Sequence, residues 1–127
     1  MERLPDVFAD RIAVSLGDGH GRRAVLICAG GADLSAVAAA LSRQAWAVGV
    51  CCLDPEAVER GQAATEAAGL VVDWRAGAAE ALPWQDGRCA AVVCCGVNPA
   101  EAPVRSEIER ILKAGGVVLA EPGSEVG

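Results

Sequence analysis

The sequence predicts an α/β domain of three layers, in which a parallel sheet of about five strands, ordered 3-2-1-4-5, carries helices on both faces. Three observations lead there. From residue 23 to residue 120, apolar runs of strand length alternate with segments of helical periodicity. The connections are short and punctuated by glycine, proline or a capping acid, so parallel strands with right-handed crossovers follow. Cys89 to Cys95 reads CAAVVCC, apolar without alternation, as a strand buried on both faces must be.

Each element has its own signal. Val7, Phe8, Ile12 and Leu16 fall at helical spacing within residues 5 to 16, and the following Gly17-Asp18-Gly19-His20-Gly21 stops that helix. Ala24 to Cys28 reads as the first strand, Ala29-Gly30-Gly31-Ala32 as a small-residue turn, and Asp33 to Gln44 as a helix with Asp33 in the N-cap position. Residues 46 to 53 form the second strand. Asp54-Pro55-Glu56 then supplies an N-cap, a first-turn proline and an acidic start for a helix that ends at Gly69, its C′ residue. Leu70 to Trp74 is the expected third strand, followed by a loop with a short helical turn at Ala79 to Leu82 and a break at Pro83. The fourth strand is Cys89 to Cys95. Val104, Ile108, Ile111 and Leu112 define the last helical face, and Gly115-Gly116 turns the chain into a fifth strand, Val117 to Ala120.

The 127 residues suit one domain, with a helix and linker over 1–22, the α/β body over 23–122 and a tail over 123–127. Hydrophobic residues make up 53% of the chain, yet no segment reaches the roughly 18 uncharged apolar residues of a membrane span. The acidic start MERLPDVFADRI lacks the basic-then-apolar order of an export signal, so the cytoplasm is the expected location. Six cysteines sit in apolar runs, as buried reduced thiols do. A net charge of −6, with Lys113 the only lysine, argues against nucleic acid and anionic membranes as partners.

Four segments together resemble the class I S-adenosylmethionine-dependent methyltransferases, in particular the small-molecule, type-11-like branch with its Rossmann-like fold. They are VLICAGGADLS, GVCCLDPEAVERG, AGLVVDWRAGAAEALPWQDG and IERILKAGGVVLAEP, and the resemblance runs from about Ala24 to Glu121. It implies a cofactor crevice at the carboxyl ends of the strands where their order reverses. Cofactor contacts would fall on Ala29, Gly30 and Gly31 after the first strand, Cys52 and Leu53 after the second, Ala78 and Ala79 after the third, and Cys95 at the end of the fourth.

Residue by residue, that pattern is depleted of acids and glycines. The carboxylate that ends the family's first strand corresponds to Ile27, and its G-x-G-x-G turn to Ala29, Gly31 and Asp33. The acid that accepts the ribose hydroxyls corresponds to Cys52, with Cys51 as the alternative register, and a neutral thiol is a poor bidentate acceptor. In Gly77-Ala78-Ala79-Glu80-Ala81-Leu82-Pro83 the adenine acid has become Ala78, and the acid opening the fourth strand is Ala90. Each hydrogen bond to a charged group contributes about 1.5–3 kcal/mol. Losing two weakens binding on the order of 100- to 10,000-fold. The turn and capping residues of the same motifs survive.

The acceptor side offers no base. Gly96-Val97-Asn98-Pro99-Ala100 is short and lacks aromatic or histidine residues, and the chain reaches Gly127 without the family's final β-hairpin. His20, the sole histidine, reads as a solvated loop residue. Glu80 reads as a turn or solvent residue, and Trp46, Trp74 and Trp84 as core or rim anchors. Cys28, Cys51-Cys52 and Cys94-Cys95 would end three adjacent strands at one edge. Small-residue packing is the first reading of those thiols; a soft-metal or redox site is the alternative, without the C-x-x-C or Cys/His spacing of zinc sites.

The expected function is therefore a methyltransferase-like domain without methyl transfer of its own, acting as a partner or scaffold subunit with no bound cofactor. An exposed fifth strand would be covered by a second copy of the chain or by another enzyme. An active S-adenosylmethionine-dependent small-molecule methyltransferase is the alternative, and a cysteine-based metal or redox module the second.

Overall fold

The computed structural model describes residues 4–28 and 34–120, with the backbone alone for 4–8. In chain order the elements are α1 (Leu4–Leu16), β1 (Arg23–Cys28), α2 (Ser35–Arg43), β2 (Ala47–Cys52), α3 (Pro55–Ala67), β3 (Asp73–Ala76), β4 (Cys89–Cys95), α4 (Ala102–Ile111) and β5 (Leu112–Ala120). The five strands are all parallel, in the order β3-β2-β1-β4-β5.

β1 lies at the middle, and Ala24 to Ile27 have no solvent exposure. Alternation divides its side chains between two apolar layers. Ala24, Leu26 and Cys28 join Val37, Leu41, Val48, Val50 and Val93 beneath α1, α2 and α3. Val25 and Ile27 pack with Val92, Val104, Ile108 and Ile111 beneath α4.

α1 is tied to this body at its C-terminal end. The Gln44 side-chain amide donates to the carbonyls of Gly17 (2.6 Å) and Ala13 (3.0 Å), and Trp46 Nε1 donates to Gly17 (2.8 Å). Those bonds satisfy carbonyls that a helix end leaves without partners. Ala9, Ile12 and Leu16 pack into the larger apolar layer.

α3 begins as its sequence implies. The Asp54 carboxylate accepts from the Glu56 amide at 3.0 Å, Pro55 occupies the first turn, and Gly69 leaves the helix at φ +76°. On its inner face Gly61 makes room for the Trp74 ring, whose Nε1 donates to Thr65 Oγ1 at 3.0 Å. Thr65 is itself buried and donates to the Gly61 carbonyl at 3.1 Å. All three tryptophans are core anchors.

Three boundaries differ from the sequence reading. β3 occupies Asp73–Ala76 rather than Leu70 to Trp74. After Gly69 the chain is still bonded back to α3, with the Leu70 amide donating to Thr65 at 2.9 Å, and pairing with β2 begins only at Gly49 with Asp73. The apolar run misleads because Val71 lies 90% exposed. β5 starts at Leu112, opposite Cys89, and the register then slips so that Ala91 faces Val117. Gly115, at φ +82°, belongs to that irregularity and not to a turn ahead of the strand. The short helical turn expected at Ala79 to Leu82 is a single bonded turn, Ala81 amide to Ala78 carbonyl at 3.1 Å. α2 starts at Ser35 with Leu34 as N-cap, while Asp33 lies outside the described residues.

A Cβ at position 61 would fall within the van der Waals radius of the Trp74 ring. Alanine gains about 1 kcal/mol of helix propensity over glycine, whereas forcing a methyl into a packed core costs about 1–3 kcal/mol. The clash therefore wins. Gly61→Ala is expected to lower unfolding free energy by roughly 1–2 kcal/mol in urea titration, and an unchanged or higher midpoint would contradict this packing.

Candidate cofactor cleft

The strand order reverses between β1 and β4, and the space outside their carboxyl ends is a cleft of about 300 Å³. Its walls come from Cys28 at the end of β1, Leu53 after β2, Ala78, Ala79 and Glu80 after β3, and Gly96 to Asn98 after β4. Glu101 and Val104, at the start of α4, close the remaining side.

Short backbone bonds hold these loop starts in place. The Leu53 amide donates to the Cys28 carbonyl (3.2 Å) and the Gly77 amide to Cys52 (2.9 Å), so the ladder continues past the last strand residues. Gly96 turns away at φ +73°. The Asn98 side chain accepts from the Ala100 amide at 3.0 Å, an Asx turn that leads into α4.

One charged hub fixes the far side of the β3–β4 connection. Arg110 on α4 donates to the carbonyls of Leu82 (2.9 Å) and Trp84 (2.9 Å), to Asp86 (2.8 Å) and twice to Glu107 (2.8 and 2.9 Å). Glu107 accepts in turn from the Leu82 amide at 2.8 Å. The planar guanidinium suits such a fork, which a lysine could not reproduce. Arg110 holds the Glu107 carboxyl below the usual carboxylate range, and Glu107 raises the Arg110 pKa.

Of the residues that the sequence assigns to cofactor contact, Leu53, Ala78 and Ala79 line the cleft, together with Cys28. Cys52 and Cys95 lie just beneath it, 0% and 4% exposed. Ala29, Gly30 and Gly31 lie outside the described residues. Sequence reading left out Glu101 and treated Asn98 only as a breaker. Their signal is position alone: both follow the fourth strand of a sheet whose ligands bind at that edge.

The thiols form two sets. Register aligns Cys28 with Cys52 on one side and Cys95 on the other, all three in the α1–α3 layer. Cys51, Cys89 and Cys94 belong to the α4 layer. A hydrogen bond with Cys28 and burial raise the Cys52 thiol far above its ordinary value. Burial alone pushes Cys51 up, and Cys94 up to about 11, while Cys89 rises to about 11 against the opposing pull of Arg23 and Arg110. Among the described residues, no group of three or more histidine, cysteine or acidic side chains could hold a metal ion. His20 is exposed, 3.5 Å from Asp18 in its loop.

With this geometry in view, comparison with known proteins identifies the class. The family model for a methyltransferase domain matches residues 24–116, and the chain belongs to that family. Solved structures share the fold. A geranyl diphosphate methyltransferase in complex with S-adenosylmethionine is 22% identical at a TM-score of 0.74, over 91% of this chain and 48% of its own. A SAM-dependent methyltransferase from Aquifex aeolicus is 16% identical at 0.70, over 87% and 61%. The [4+2]-cyclase SpnF is 23% identical at 0.73, over 89% and 43%. The chain spans about half the length of the structures it matches. No curated protein matches it. No helix among the described residues is long and apolar enough to cross a membrane.

The fit of S-adenosylmethionine can be tested on these side chains. Cys52, at the position that the resemblance implies for the ribose acid, is a buried thiol, and Ala78, at the position implied for the adenine acid, carries a methyl. The carboxylates in the lining are Glu80 and Glu101, both exposed, on the loop after β3 and the start of α4. Among the described residues, neither of those two positions offers the carboxylate that the resemblance implies there.

The raised thiols give a pH prediction. In the unfolded chain they lose protons near pH 9, and in the folded chain Cys89 and Cys94 hold theirs to about 11. Stability is therefore full below pH 9 and falls as pH rises from 9 toward 11, by on the order of 1–3 kcal/mol per thiol. Urea midpoints measured under reducing conditions from pH 7 to 11 should be flat at first and then decline; a flat profile throughout would show the thiols to be accessible.

Proposed function

We propose that this chain is a methyltransferase-fold subunit that does not transfer methyl groups itself and serves as a structural partner for another protein surface. The observation that carries the reading is Cys52: at the position implied for the ribose-binding acid stands a fully buried thiol hydrogen-bonded to Cys28. It can supply neither a charge nor a bidentate acceptor to a ligand in the cleft. Ala78 removes the second expected acceptor while the turns around it persist.

A second feature supports a partner role. β5 pairs with β4 on one side and with no strand on the other among the described residues, and Val117 and Val118 on it are 45% and 40% exposed. Such an edge offers unpaired amides and carbonyls to an added strand. A second copy of this chain, or another enzyme, would cover it.

The neighbouring cyclase supports the wider point that this fold hosts chemistries other than methyl transfer. An active methyltransferase is the competing reading, supported by the persistence of a cleft at the expected strand ends.

Calorimetry with S-adenosylmethionine and S-adenosylhomocysteine separates the two. The expected outcome is no binding tighter than about 100 µM, near −5.5 kcal/mol. A tighter constant would transfer the assignment to the enzyme. Light scattering coupled to size exclusion should show a mass above the 12.9 kDa monomer, reduced to the monomer by Val117→Lys with Val118→Lys. A monomer that also recovers no partner on pull-down would remove the structural role.

A further inference from the structure

A second, larger cleft of about 630 Å³ lies at the opposite end of the sheet, against the amino ends of the strands. A six-residue strand is about 20 Å long, so the two clefts are separated by roughly that length of buried sheet. Arg22 leads into β1 and Arg23 opens it, Ala47 opens β2, Asp73 opens β3, Arg88 leads into β4 and Lys113 follows the first residue of β5. Arg75 completes the charged lining.

The charge is out of keeping with the chain. The protein has 11 basic residues against 17 acidic ones, yet five of the basic residues line this one cleft with Asp73 as their only carboxylate. Arg75 is already paired with Asp73 at 2.8 Å, and the Arg22 guanidinium is used on the carbonyls of Gly19 and Asp18 and over the Trp46 ring. Arg23, Arg88 and Lys113 make no ion pair or side-chain hydrogen bond among the described residues. Three unpaired cations around one opening repel one another until an anion enters. The volume falls in the small-molecule range. Few apolar groups are offered, since Trp84 and Ala90 are mostly buried, so the side chains of an acidic peptide would find little to pack against.

We infer that this amino-end cleft binds a compact, multiply charged phosphate compound, with Arg23, Arg88 and Lys113 as its main contacts. Arginine matches phosphate oxygens bidentately, and two or more linked phosphates can engage cations borne by different strands. The inference is independent of whether the other cleft holds a cofactor.

The test is titration of the whole chain with sodium tripolyphosphate at low ionic strength, followed by calorimetry and by tryptophan fluorescence, since Trp84 walls the cleft and Trp46 lies under Arg22. Saturable binding is expected, with orthophosphate at least about 10-fold weaker and Arg88→Gln or Lys113→Gln each weakening tripolyphosphate about 10-fold. Arg60→Gln, an equal charge change on α3 outside the cleft, should leave binding unchanged within about 2-fold. ATP binding more tightly than tripolyphosphate would point to a nucleotide's phosphate tail, weaker binding to free condensed phosphate, and either supports the inference. No saturation by about 5 mM, equal losses from Arg60→Gln, or hexaglutamate binding as tightly as tripolyphosphate would overturn it.

Discussion

β1 pairs in parallel with β2 on one side and with β4 on the other, and its residues from Ala24 to Ile27 meet no solvent. Because right-handed crossovers place α2 and α3 on one face and α4 on the other, this pairing sets both apolar layers at once. It also creates the point where strand order reverses, and with it the upper cleft. The remaining elements are arranged around that strand: β3 and β5 pair only at the edges, and α1 closes over α2 through Gln44 and Trp46.

Folding and ligand binding make different demands on the same loops, and the folding demands are met here. Asp54 caps α3, Gly69 and Gly96 make their left-handed turns, and the Leu53 and Gly77 amides extend the ladder. Those interactions keep the carboxyl edge in shape. Cys52 and Ala78 stand where the resemblance implies acids, and the row Cys28, Cys52 and Cys95 fills the edge with small apolar groups. Burial keeps such thiols neutral, so the edge behaves as core.

Charged groups are organised on the flank and at the opposite edge. Arg110 and Glu107 pin residues 82 to 86 to α4, which in turn seats Trp84 against Gly49, where any side chain larger than hydrogen would collide with the indole. The Trp84 Nε1 is buried there without an acceptor among the described residues, a penalty that the fixed loop tolerates. Below it, cations from four separate parts of the chain meet in one opening that a single carboxylate, Asp73, shares.

Much of this was legible in the sequence, and the physical reason is locality. Period, caps and left-handed glycines act over a few residues, so Asp54-Pro55, Gly69 and the unbroken CAAVVCC run were readable as they stand, and parallel strands with short crossovers then left few topologies. Where a boundary depended on a partner strand it was not readable: Leu70 to Val72 look like a strand, yet pairing begins at Asp73, and Leu112 enters the sheet ahead of the glycines that seemed to precede it. That neutral residues, Cys52 and Ala78, stand where the resemblance implies acids is readable by position, but that the Cys52 thiol turns inward onto Cys28 required the packed layer. The net charge of −6 concealed five cations scattered from residue 22 to residue 113, because composition sums over the chain and only the fold brings distant residues to the same edge.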